Sequence, residues 1–160
     1  MGSNPHPPTS SAAIKVRVRR MGESSDLPLP AYATSGSSGL DLRACIPQSL
    51  TLPPGGRALI GTGLAVALPA GAEAQIRPRS GLAAEHGVTL LNSPGTIDSD
   101  YRGEIRLVLI NHGQAPYTVN RGDRIGQMVV AQIVQVLLEE VEELPASARS
   151  AGGFGHTGKS

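Results

Sequence analysis

The first regular pattern along the chain begins at Ile14, where Ile14, Val16 and Val18 alternate with Lys15, Arg17 and Arg19. A period of two puts the apolar residues on one face and the cations on the other, so the stretch reads as a half-buried strand. Leu50 and Leu52 alternate in the same way ahead of the turn signal Pro53-Pro54-Gly55-Gly56. Further strand candidates are Ala58–Ile60, Leu64–Leu68, Ala74–Ile76, Val88–Leu91, Glu104–Ile110, Tyr117–Val119 and Gln127–Val136. They recur roughly every 8–12 residues with Gly or Pro between them, which suits an all-β sandwich or barrel. No segment before Val136 carries a helical period. Ser80–Glu85 is a candidate short helix that Ser80 could cap. Leu137–Leu144, with four glutamates, reads as either a short helix or an exposed edge.

Composition agrees with this picture. There are 20 Gly and 13 Pro in 160 residues, but one Phe, three Tyr and no Trp. Turns are plentiful and bulky rings are scarce, so Val, Leu and Ile must fill the core. The length suits one domain. Residues 1–13, rich in Ser, Pro and Gly, are expected to be a disordered leader, residues 14–148 one β domain, and residues 149–160 a flexible arm. That arm holds four glycines and the only Phe, too little to pack a core element.

Charge and cysteine content exclude several classes. A formal charge of +1 gives no bulk attraction to nucleic acid or to an anionic membrane. Cys45 is alone, so there is no internal disulfide framework and no cysteine-built metal site. No apolar run approaches the length of a membrane span, and the N-terminus lacks an apolar signal core. The expectation is a soluble cytoplasmic protein without nucleic-acid or membrane partners.

Five segments carry candidate chemistry. In Ser38-Gly39-Leu40-Asp41-Leu42-Arg43-Ala44, flanking leucines share one face of an extended stretch and Asp41 takes the other, facing either a site or plain solvent. Arg77-Pro78-Arg79-Ser80-Gly81-Leu82-Ala83 places guanidinium groups beside a helix start, which makes either an anion cradle or a capped turn with solvated arginines. Asn92 to Glu104 is the densest polar stretch and reads as a hairpin-like loop, where binding groups collect. Asp98 follows the anchoring Ile97 and could serve as a base, although Asp98 and Asp100 also suit turns for local reasons. Arg121-Gly122-Asp123-Arg124-Ile125-Gly126-Gln127 reads most simply as a turn entering a strand. Arg149-Ser150-Ala151-Gly152-Gly153-Phe154-Gly155-His156-Thr157-Gly158 sets one aromatic among glycines whose N–H groups could wrap phosphate, unless the Phe is incidental to a disordered tail.

In this order and spacing the five segments resemble the five motifs of the trimeric dUTPase family, over about Ile14 to Gly158. Gly95–Glu104 and Gly152–Gly158 carry the resemblance most strongly. It implies a jelly-roll-like β domain, a homotrimer with active sites shared between subunits, and Mg²⁺-assisted hydrolysis of dUTP to dUMP and pyrophosphate. Such an activity limits uracil incorporation into DNA and supplies dUMP for dTTP synthesis.

Carried over residue by residue, the resemblance implies that Asp98 holds and activates the attacking water, with Gln127 assisting. Asn92 and the backbone around Gly95 and Ile97 would read the uracil edge, and Tyr101 would pack under the deoxyribose and exclude a 2′-hydroxyl. Arg79, Ser80 and Gly81 would hold the phosphate chain, and Asp41 would act on Mg²⁺ through metal-bound water. Arg149 and Thr157 would grip the γ-phosphate with His156 nearby, while Phe154 closes over the base. Gly126 stands where the family usually has Ala, which is expected to loosen the fourth motif slightly. Thr157 stands where Ser is common and keeps the hydroxyl. The competing readings are a dCTP deaminase-like enzyme and a non-catalytic nucleotide-sensing protein on the same scaffold. A general NTPase is disfavoured because there is no phosphate-loop lysine signature.

Overall fold

The computed structural model describes residues 13–147. Most of the strand candidates fold as strands, in short runs separated by turns. They are β1 (Arg17–Arg20), β2 (Leu40–Arg43), β3 (Leu50–Leu52), β4 (Arg57–Gly61), β5 (Leu64–Ala67) and β6 (Ala72–Arg77). A short helix α1 (Ser80–His86) precedes β7 (Val88–Leu90), β8 (Gly95–Ile97), β9 (Arg106–Asn111), β10 (Tyr117–Val119) and β11 (Arg124–Gln132).

Every strand pairing is antiparallel. One sheet runs β2-β11-β6-β8 and a second runs β4-β9-β7, with β1-β5 and β10-β3 as two-stranded ribbons. Leu42, Ala74, Ile76 and Met128 from the first sheet pack into one cluster with Ile60, Leu90, Leu107 and Leu109 from the second. The core is aliphatic throughout, as the shortage of rings requires. Its one large buried amide, Asn111, is satisfied: Nδ2 donates to the carbonyls of Leu52 (2.9 Å) and Ala115 (2.8 Å), and Oδ1 accepts from Gly113 N–H.

Strand β6 shows why the outer face of the four-stranded sheet is available for function. Ala72, Ala74 and Ile76 are buried, while Glu73, Gln75 and Arg77 point away from the core. On β2, Leu42 is buried and Leu40 packs on the core, so Asp41 takes the outer face as its flanking leucines predicted. On β11 the alternation breaks: Ile125 and Gly126 are both buried. The register against β2 slips there, from Arg124 opposite Arg43 to Gly126 opposite Leu42. This bulge lets Arg124 and Gln127, three residues apart, emerge on the same outer face.

Several boundaries differ from the sequence reading. Helix α1 begins at Ser80 itself; Arg79 is its N-cap in extended conformation, with no side-chain cap. Gly87 ends the helix at φ 68° and donates its N–H to Ala83 O, a left-handed turn that suits glycine. The polar stretch expected as a loop contains a strand, β8, because Gly95, Thr96 and Ile97 find open edge positions opposite Ile76, Gln75 and Ala74. Strand β11 stops at Gln132, and Leu137–Leu144 forms neither helix nor strand. All of 133–147 is exposed. Strand β1 is likewise exposed along its whole length rather than half-buried.

Candidate active site

Register alone assembles the centre of the candidate site. Gln127 lies opposite Asp41 on one side and Arg77 on the other. Directly opposed residues share a face, so three strands contribute one polar row. Immediately after β6, Pro78 and Arg79 turn the chain into α1 and bring Ser80 and Gly81 alongside. The result is a cleft of about 460 Å³ whose lining includes Asp41, Arg79, Ser80, Gly81, Arg124 and Gln127.

Its hydrogen bonding fixes these groups. Asp41 Oδ1 is 3.3 Å from Arg79 Nε, and Asp41 Oδ2 accepts from Arg124 Nη1 at 3.0 Å. Arg79 Nη1 also donates to Arg124 O at 3.3 Å. Gln127 Nε2 donates to Pro78 O at 3.0 Å, which leaves its Oε1 free to accept. With Arg77 added, three guanidinium groups stand against one carboxylate, so the cleft is net positive and suits a polyphosphate anion. Behind it, burial pushes the Tyr117 hydroxyl above its usual range; the Asp123 charge adds to this and Arg79 opposes it.

The segment Asn92–Tyr101 lies elsewhere on the same sheet. Ile97 is opposite Ala74, three residues along β6 from the row of Arg77, and β8 lies two strands away from β11. From strand geometry, Asp98 is therefore roughly 13 Å along the sheet and roughly 10 Å across it from Gln127. Asp98 is exposed and forms no ion pair among the described residues. Asn92 stands beside Gly95, where a Cβ would lie 3.4 Å from Asn92 Nδ2. Tyr101 donates its hydroxyl to Glu104 O at 3.1 Å. One chain thus brings Asp41, Arg79, Ser80, Gly81 and Gln127 together but not Asn92, Gly95, Ile97, Asp98 or Tyr101. Arg149, Phe154, His156 and Thr157 lie outside the described residues.

Two arginines of the fourth segment acquire clear places. Arg124, read from sequence as a turn residue, is a cleft wall and a partner of Asp41; the signal for it was Gly126 inside a strand, a mark of bulges. Arg121 points away and clamps a loop: Nε and Nη2 bind the Asp26 carboxylate at 3.0 and 2.7 Å. The same guanidinium donates to Glu23 O, to Ile46 O (3.2 Å) and to Cys45 Sγ (3.5 Å). Its hydrogen bond to Asp26 comes first among the causes that raise its already high pKa and that hold Asp26 below the usual carboxylate range. Gly126 is buried, and a Cβ there would overlap Leu107 Cδ2. The space expected to be loose is filled from the opposite sheet.

Comparisons with known proteins bear on the fold and the family. A family model described as dUTPase matches residues 25–158. A deoxyuridine 5′-triphosphate nucleotidohydrolase from Maricaulis maris (strain MCS10) is 52% identical over 149 residues, covering 92% of this chain and 98% of the relative. Among solved structures, the Staphylococcus bacteriophage 80alpha dUTPase with dUPNHPP matches with TM-score 0.82 at 22% identity, over 91% of this chain and 99% of that one. A mutant dUTPase from phage phi11 of S. aureus, in which a structural Mg(II) ion is coordinated, matches with TM-score 0.73 at 22% identity, over 82% and 99%. At that identity the structural likeness speaks for the fold, which is the jelly-roll-like β fold expected. The family match and the close relative decide the rest: the chain belongs to the dUTPase family.

Proposed function

We propose that this protein hydrolyses dUTP to dUMP and pyrophosphate by attack of water at the α-phosphorus, in the cleft between β2, β11 and the start of α1. The observation that carries the reading is the row Asp41–Gln127–Arg77 with Arg79 and Arg124 over it, a preorganised polyphosphate cradle on the segments that match the family. Arg79, Ser80 and Gly81 hold the phosphate chain, and Gln127 Oε1 accepts one hydrogen of the attacking water. Asp98 takes the proton. A base must come within hydrogen-bond reach, so an Asp98 that stands far from its own Gln127 serves a neighbouring chain's cleft.

That requirement supports a homotrimer with shared sites. Val134, Leu137 and Leu138 are 89%, 97% and 90% exposed, an apolar stretch of the kind another chain covers. Asn92, Gly95 and Ile97 of the second chain read the uracil, and Tyr101 excludes a 2′-hydroxyl. Arg149, His156 and Thr157 of a third hold the γ-phosphate while Phe154 closes the site.

For Mg²⁺, the donor set fits a shared ion. No cluster of three or more His, Cys, Asp or Glu able to hold a metal exists among the described residues. Asp41 is one carboxylate at the mouth of a phosphate cleft, and Mg²⁺ is commonly held by one or two carboxylates, substrate phosphates and several waters. Bound there through water, it would supply neutralisation of phosphate charge. We place the enzyme in the cytoplasm; no described helix is long and apolar enough to cross a membrane.

Pyrophosphate release measured on dUTP, dTTP, dCTP and UTP tests the reading. Turnover of dUTP should exceed the others by large factors. Equal turnover of dCTP would remove the uracil assignment, and deamination of dCTP would restore the deaminase reading.

A further inference from the structure

Between Asp98 and Glu104 the chain folds into a turn held by its own hydrogen bonds. Tyr101 N–H donates to Asp98 O at 3.1 Å, and Arg102 Nη1 donates to Ser99 O (2.7 Å) and Tyr101 O (2.8 Å). The Tyr101 ring bends back along the following residues until its hydroxyl reaches Glu104 O. Gly103 lies on that path. A Cβ on Gly103 would stand 2.5 Å from Cζ and 3.0 Å from Cε2 of Tyr101 and would overlap the hydroxyl oxygen. The backbone of Gly103 is not left-handed, so a methyl group there meets the Tyr101 ring and not a backbone restriction.

The acceptor that receives the hydroxyl is itself fixed. Glu104 Oε1 accepts from Gly63 N–H at 2.8 Å, and the next residue, Ile105, is fully buried with its N–H donated to Leu64 O at 2.8 Å. The ring is thus seated on a rigid support while the rest of it stays open, at 38% exposure.

We infer that Gly103 is a specificity-determining residue: by having no Cβ it lets the Tyr101 ring lie close against the chain, and that seat sets the ring's distance from the sugar. Its effect on sugar choice rests on the reading of Tyr101 given under Proposed function. Gly103 is a positioning residue and acts only through Tyr101.

The experiment compares kcat/KM for dUTP and UTP, with thermal midpoints, in Gly103→Ala, Tyr101→Phe, Tyr101→Ala and the double variant Gly103→Ala/Tyr101→Ala. Gly103→Ala should lower the dUTP-to-UTP ratio by about ten-fold or more, as expected when a pocket loses its steric rejection of one hydroxyl. Tyr101→Phe, which keeps the seated ring, should retain most of the ratio. Tyr101→Ala should lower it, and adding Gly103→Ala to that variant should change it no further. If Gly103→Ala fails to fold, the double variant should fold, because the overlapping ring is gone. A normal ratio in folded Gly103→Ala, beside a lost ratio in Tyr101→Ala, overturns the role of Gly103 and leaves Tyr101's intact. A normal ratio in Tyr101→Ala overturns the reading of Tyr101 and the inference with it. A double variant that still cannot fold also overturns it, since Gly103 would then serve the fold and not the ring.

Discussion

The side chain of Gln127 crosses directly over Gly39: a Cβ on Gly39 would lie 3.1 Å from Cδ and 3.2 Å from Cβ of Gln127 and would overlap its Oε1. The overlapped atom is the far end of a flexible chain, so the fold can yield by moving Gln127 aside. Gly39→Ala should therefore leave the thermal midpoint nearly unchanged while kcat falls by about 100-fold, the typical cost of misplacing a positioned group by an ångström. Steady-state kinetics and a melting curve on the same preparation check this; an unchanged kcat would mean that Oε1 does not touch the reacting water.

Asp98→Asn should keep the fold and lose about 10²–10⁴-fold in kcat, the usual range for a general base. A chain ending before Arg149 should be similarly inactive. Mixed assemblies of the two inactive chains should regain part of the activity, because some sites would join an intact Asp98 to an intact arm. Activity measured on mixed assemblies verified by mass decides it; continued inactivity would contradict site sharing.

At Gly126 the added methyl group meets Leu107 Cδ2, in a core residue 1% exposed. Gly126→Ala should destabilise by about 1–3 kcal/mol, the range for overpacking. Combined with Leu107→Val, its cost should shrink, giving a coupling energy that denaturant titrations of the four proteins can read. Additive effects would show that the neighbours relax independently.

Acid should loosen the loop that Arg121 clamps. Asp26 titrates below its ordinary value because of its hydrogen bond to Arg121. A depressed folded-state pKa contributes stability that is present above the unfolded value, about 3.9, and is lost as pH falls through the folded one. The thermal midpoint of the wild type should thus fall more steeply below about pH 5 than that of Asp26→Asn. Asp26 is exposed and Arg121 partly so, and high salt should narrow the difference. Parallel curves would assign the acid response to other groups.

Much of this was legible from residue order. The leucines around Asp41 announced its outward face, and the spacing of turns announced an all-β domain. The bulge at Ile125–Gly126 was only hinted at by the glycine inside a strand, because two consecutive inward residues look like an ordinary apolar pair until the register against β2 is known. Strand β8 was hidden for a related reason: Gly95–Ile97 has little intrinsic strand signal and is held by the open edge of β6. The distance between Asp98 and Gln127 is a property of strand order, which local pattern does not encode. Clamping by Arg121 depends on a contact with Asp26, 95 residues away along the chain.

An interior with no aromatic ring among its buried described residues is optically quiet. The described rings that absorb near 280 nm are three tyrosines: Tyr32, exposed; Tyr117, half-buried against the core and tilted against His86 with centroids 4.9 Å apart; and Tyr101, seated on Gly103. Near-ultraviolet signals from Tyr32 and Tyr101 therefore report the edges of the protein, and Tyr117 is the one described ring among them that reports on core packing. Only Tyr101 of the three belongs to the segment proposed to read the nucleotide, so on that reading a tyrosine emission change on nucleotide binding gauges chiefly that ring.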